Sequence, residues 1–115
     1  MNLTWGTCGD SGSWCDFLTV NLDHSYFDMR KGVYIIWKAK GPVIKIGQGI
    51  IKDRLSVHRN DEAIISYNNL FVTWASVSVQ NRDGVERYLA DRLKPRLGDI
   101  FPDVVPIKVN LPWSY

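Results

Sequence analysis

An α/β (α+β) domain, with a small three-stranded mixed or antiparallel sheet flanked by helices, is what three features of the sequence predict. Gly32-Val33-Tyr34-Ile35-Ile36-Trp37 is β-branched and aromatic throughout, the composition of a buried strand. Ala39-Lys40-Gly41-Pro42 supplies a turn and Val43-Ile44-Lys45-Ile46-Gly47 a second strand, so the two form a hairpin. Val85, Leu89 and Leu93 then recur at i, i+4 and i+8, the apolar stripe of a helix. With 115 residues the chain supports one domain with one core, carried by residues 30–115. Residues 1–29 form an N-terminal extension, packed on that domain or trailing from it.

Taken in order, residues 5–14 (WGTCGDSGSW) are rich in Gly and Ser and read as a loop. Phe17 to Leu22 reads as a short strand, and after the hairpin Ile50 to about Arg59 reads as a helix. Asn69 to Val79 (NLFVTWASVSV) is the third strand. Asn81 or Asp83 caps the second helix, which runs to Lys94 and stops before Pro95. Val104 to Leu111 is a late edge strand, because Pro106 and Pro112 keep it out of a sheet centre.

Net charge is +2, too small to indicate a nucleic-acid or membrane partner by itself. Its distribution is more informative. Residues 1–29 carry four acids and no Lys or Arg, whereas residues 30–59 carry eight bases against Asp53 alone. A block this concentrated suits a phosphate-bearing partner through counterion release, with Lys38, Lys40, Lys52 and Arg59 as candidate contacts. A solvated face that keeps the protein in solution is the plainer alternative. The first residues lack the basic and apolar segments of a signal peptide, and no apolar run approaches the ~20 residues of a membrane span. The expectation is a soluble, cytoplasmic protein whose Cys8 and Cys15 are free thiols.

Two motifs are set aside. Gly9-Asp10-Ser11-Gly12 looks like a serine-protease nucleophile segment, but no His precedes it and the chain is too short for two β-barrels. Cys8, Cys15 and His24 could make part of a zinc site, yet structural zinc takes four ligands with tighter cysteine pairing.

The chemistry-bearing residues fall around the hairpin and the two helices. If Lys38 pairs with Val43, Ile36 faces Lys45, and Tyr34 and Lys45 become diagonal neighbours on one face. Arg54 and His58 are four apart on the first helix and border its apolar side. Glu86 lies beside the Val85-Leu89-Leu93 stripe, a costly place for a carboxylate unless it is paired, hydrogen-bonded or metal-bound. Its spacing from Asp83 equally allows a capping box. A core aromatic with a satisfied hydroxyl is the common fate of a strand tyrosine such as Tyr34.

In this order the residues resemble the GIY-YIG nuclease domain superfamily. Gly32-Val33-Tyr34 matches the first triplet, and Lys45-Ile46-Gly47 matches the second after a gap of 10 residues. Arg54-Leu55 with His58 match the helix that follows, and Glu86 with Leu89, Leu93, Pro95 and Leu97 match the metal-binding block. Coverage runs from about residue 30 to 98. Lys45 stands where the second triplet usually has Tyr, and Gly98 where an Asn is usual. Trp5, Trp14 and the residues after 100 have no counterpart.

The resemblance implies hydrolysis of a phosphodiester bond in DNA, with RNA as the second choice, using one Mg²⁺ or Mn²⁺. Glu86 would be the metal ligand, with water and phosphate oxygens completing the shell. Tyr34 would act as general base or position the attacking water, with Lys45 as the cation favouring its ionisation. Arg54 would clamp the phosphate, and His58 would hydrogen-bond Tyr34 or that phosphate. Gly32 and Gly47 are motif glycines. The partner is nucleic acid and not a membrane, with a homo-oligomer or a separate subunit selecting the target. A nucleic-acid-binding module without catalysis and a small protein-interaction domain are the other readings.

Overall fold

The computed structural model describes every residue except Ser11, Asp99, Ser114 and Tyr115, so the serine of the set-aside protease-like segment lies outside the described residues. Strand β2, Lys31–Lys38, is central, because its run of apolar residues is buried on both faces. It pairs antiparallel with β3, Val43–Ile50, on one side and with β4, Leu70–Ser76, on the other. A two-residue strand, β1 (Cys15–Asp16), adds antiparallel to β4, and the sheet order is β1-β4-β2-β3. The expected three strands are therefore four, all antiparallel. The fourth lies in the N-terminal extension, upstream of the segment where a strand was expected. Asp16 ends it, because its Oδ1 accepts the N–H groups of Leu18 and Thr19 and turns the chain.

Helix α1 is Ile51–His58, α2 is Glu62–Ile65 and α3 is Val79–Leu93. Alternate residues of β2 feed two cores. Tyr34 and Ile36 pack with Ile51 and Leu55 of α1, while Val33, Ile35 and Trp37 pack with Val85, Leu89 and Leu93 of α3. Helix α2 was not expected. Four residues are too few for an apolar period, and Asp61 starts the helix by accepting the N–H of Ala63.

Three further expectations are corrected. Neither Asn81 nor Asp83 caps α3, which begins three to five residues earlier with Ser78 in the N-cap position. Asn81 instead donates its side-chain amide to Ser78 Oγ, and Asp83 and Glu86 both lie inside the helix, so no capping box forms. The strand expected over Val104–Leu111 is absent. That segment crosses α3 instead of pairing with the sheet, its Ile107 N–H spent on the Gly84 carbonyl. Residues 96–97 hold the outer edge of β3, Arg96 N–H donating to Val43 O and Leu97 N–H to Ile44 O.

Cys8 and Cys15 are joined in a disulfide, Cα–Cα 5.0 Å, which corrects the expectation of free thiols and ends the zinc alternative. His24 is used elsewhere, its Nδ1 accepting the Tyr26 N–H at the start of a 3₁₀ turn. Disulfides persist in oxidising compartments, so this pairing gives no support to a cytoplasmic location. Among the described residues no helix is long and apolar enough to cross a membrane. The N-terminal segment is tied into the fold: Gly6 N–H donates to Trp74 O, Thr73 Oγ1 donates to Gly6 O, and Leu3 and Asn110 exchange two hydrogen bonds.

Candidate functional site

Both α1 and α3, on opposite faces of the sheet, pack against the edge strand β3. The hairpin register decides what faces this edge. Trp37, not Lys38, pairs with Val43, but an irregularity between Ile36 and Trp37 restores Ile36 opposite Lys45. Tyr34 is then opposite Gly47, and Lys45 is its diagonal neighbour, the placement the spacing predicts.

Gly47 is required by that pairing. A Cβ there would run into the Tyr34 hydroxyl and lie 2.5 Å from Tyr34 Cζ, so the phenol crosses β3 only because position 47 carries no side chain. Gly32 plays a similar part on the other side of β2, where a Cβ would meet the Ala75 carbonyl.

The Tyr34 ring is 1% exposed and its hydroxyl lies 2.6 Å from His58 Nε2. The two rings stack with centroids 5.4 Å apart. His58 sits on the buried stripe of α1 with Ile51 and Leu55 and is 5% exposed, deeper than the border position the helix geometry suggests. Burial, then the positive charges of Arg54 and Lys45, lowers its pKa to about 4, with Asp61 opposing. The imidazole is therefore neutral near pH 7. Burial also raises the Tyr34 pKa, although the hydrogen bond and charge of Arg54 pull it back down.

Glu86 reaches the same edge from α3 and is 8% exposed. Burial raises its pKa, the Gln48 side chain opposes that rise, Asp83 adds to it and Lys45 opposes it. Among the described residues the ion pairs are Lys52–Asp23 and Arg87–Asp91, so Glu86 has no salt-bridge partner. Together Tyr34, Lys45, Gly47, Gln48, Arg54 and Glu86 line one open cleft of about 300 Å³. Gly98 lies beside Lys45. Its φ is +101°, and a Cβ built there would lie 3.5 Å from Lys45 Nζ. Gln48, whose amide donates to Asp83 Oδ1 at 2.6 Å, was not anticipated, and its type and position carry no signal in the sequence.

The remaining basic candidates do not gather there. Lys38 Nζ donates to the carbonyls of Tyr67 and Asn68, and Lys52 pairs with Asp23 at 3.3 Å. Arg59 straps the N-terminal segment, donating to Phe17 O and Val20 O, and burial lowers its pKa against the pull of Asp16 and Asp23. Lys40 is exposed at the hairpin turn, on a different cavity. The basic block is thus part scaffold and part surface.

No family model, curated protein or solved structure matches the chain. The site must be read from its own chemistry.

That chemistry includes a test of metal fit. Among the described residues no three His, Cys, Asp or Glu side chains converge, so the protein offers no closed metal cage. It offers one buried carboxylate, a hard oxygen donor facing an open cleft. Such a donor set fits Mg²⁺ or Mn²⁺, which keep several waters and bind through one or two carboxylates plus phosphate oxygens.

Proposed function

We propose that the chain is a metal-dependent nuclease of the GIY-YIG type, hydrolysing a phosphodiester bond in DNA, with RNA as the second choice of substrate. What carries this reading is one cleft lined by Tyr34, Lys45, Arg54 and Glu86, supplied by two strands and two helices. A strand tyrosine that merely filled the core would need neither cations nor a buried carboxylate beside it.

Glu86 would hold the cation, which when bound offsets charge on the phosphate oxygens and orients the phosphate. Arg54, exposed at the mouth of the cleft, clamps the phosphate with its fixed fork of donors. Lys45, at the floor, adds a second positive charge where negative charge develops. With neutral His58 accepting at Nε2, the Tyr34 O–H donates to it, leaving the phenol oxygen lone pairs for a water in the cleft. As that water attacks phosphorus, its proton passes to Tyr34 Oη and the Tyr34 proton to His58 Nε2. The phosphorus bond to one ester oxygen breaks, and the departing oxygen takes a proton from solvent. Tyr34 therefore needs no free phenolate, which burial opposes. The positive charge gained by His58 is offset by the phosphate brought in beside it.

The decisive experiment is incubation of the protein with supercoiled plasmid, with and without Mg²⁺ or Mn²⁺. Nicking that EDTA abolishes is the expected result. Retarded but intact plasmid would replace this reading with a binding module, and no interaction at low salt would leave only a protein-interaction domain.

A further inference from the structure

A second cavity, about 430 Å³, opens at the hairpin end of the sheet on the α3 side. Three tryptophans line it, from three distant parts of the chain. Trp37 of β2 meets Trp113 at 4.6 Å and Trp14 at 5.4 Å between centroids, and Trp14 meets Trp113 edge-on at 6.2 Å. Trp37 is almost fully covered, while Trp14 and Trp113 are half-buried and face the opening. Around them stand Lys40, Lys94 and Arg96, all exposed, and no acidic side chain lines the cavity among the described residues.

Two of those lysines sit in left-handed backbone, Lys40 at φ 56° and Lys94 at φ 48°. A side chain is disfavoured there, and Gly is the usual helix C-terminal residue at a position such as 94. Both strained lysines border the same cavity. Met29, Asn68 and Asn69 share this backbone without lining the cavity, so the two lysines support a ligand site only together with the rings beside them.

The cavity and the cleft lie on neighbouring stretches of β3 and share no lining residue: Val43 lines one, and past the irregularity at Ile36/Trp37 Lys45 lines the other from the opposite face. The segment from Lys94 through Arg96 and Leu97, bonded to Val43 and Ile44, ends at Gly98 beside Lys45.

We propose that this cavity takes an unpaired base of a single-stranded nucleic-acid segment, stacked on Trp113 with Trp14 against its edge, and with Lys40, Lys94 and Arg96 on its flanking phosphates. The strand's path from this base to the cleft rests on the nuclease reading; the base site itself does not. Cations exclude a cationic guest, and aromatic faces with a cationic rim are the combination that holds single strands without reading sequence.

The test uses the whole protein in EDTA, with an eight-residue thymidine oligomer, an abasic oligomer of equal length and a blunt duplex. Expected are quenching of tryptophan fluorescence by the thymidine oligomer and weaker binding of the other two. Anisotropy with labelled oligomer should show at least fivefold weaker binding for Trp113→Ala, the low end of what losing one stacked base costs. Lys94→Gly relieves the backbone strain, so it should raise the melting temperature while weakening oligomer binding. Equal affinity for the abasic and thymidine oligomers, or unchanged binding by a folded Trp113→Ala together with Lys94→Gly, overturns the proposal. Base-dependent binding by a protein that nicks no plasmid sustains the cavity and removes the nuclease. Nicking with oligomer binding indifferent to both variants does the reverse.

Discussion

The Tyr34 hydroxyl and His58 Nε2, 2.6 Å apart, join the central strand to the first helix at the floor of the cleft. Each group satisfies the other's buried hydrogen-bonding atom, so the pair stabilises the fold whatever else it does. It also places a neutral imidazole behind a phenol that borders the cleft.

His58 makes stability pH-dependent with a defined sign. Unfolded, it titrates at 6.5; folded, at about 4. Between those values the unfolded chain binds a proton the folded chain does not, so stability falls as pH falls through the window. The full loss is roughly 3 kcal/mol at 1.36 kcal/mol per unit. Glu86 acts in the opposite sense, because its raised carboxyl pKa gives the folded chain the proton first. Urea midpoints of wild type and His58→Gln, compared from pH 7 to 4.5, isolate the histidine. Wild type should lose more; parallel curves would refute the assignment.

Glu86→Gln should abolish metal-dependent cleavage, at least 100-fold, while the folded protein remains at least as stable as wild type. The substitution removes the metal-holding charge and also a buried carboxylate whose ionisation burial disfavours. Cleavage at the wild-type rate by this variant would remove Glu86 from the site.

Gly47→Ala should destabilise the protein by about 1–3 kcal/mol, the range for overpacking, and displace the Tyr34 ring. Paired with Tyr34→Phe, the cost should shrink, since the atom nearest the new methyl is gone. Equal destabilisation in both backgrounds would show that the strain is elsewhere.

Reducing the Cys8–Cys15 bond, or replacing Cys8 with Ser, should cost about 2–3 kcal/mol from the released short loop. Because Trp14 lies inside that loop, tryptophan fluorescence should change with it. A melting temperature insensitive to reductant would contradict the bond's part in holding the N-terminal segment.

Nucleic-acid affinity should fall with salt on a shallower slope than eight bases would give. Arg30, Lys38, Lys52 and Arg59 are engaged by other groups of the protein, which leaves Lys31, Lys40, Lys45 and Arg54 of the block, joined by Lys94 and Arg96 at the tryptophan cavity. A log–log slope near −5 is expected, whereas one near −9 would mean that the engaged bases are released from their partners on binding.

The sequence alone was enough to place the hairpin, the two longer helices, the stop before Pro95 and the diagonal placement of Tyr34 and Lys45, whereas Arg54 and Glu86 joined them only through the family resemblance. Strand composition, helix period and proline chemistry act over a few residues, and motif spacing inherits their geometry. What only the tertiary structure decided involves partners far apart in the chain. The strand at Cys15–Asp16 exists because β4 offers it an open edge, and Arg59 is a strap because the N-terminal carbonyls lie above it. The helix start at Val79, early by several residues, turned the suspected capping carboxylate Glu86 into a cleft residue. The tryptophan cavity joins positions 14, 37 and 113, a meeting set by the packed sheet and invisible to any local pattern, because nothing short of the folded core brings those three rings within reach.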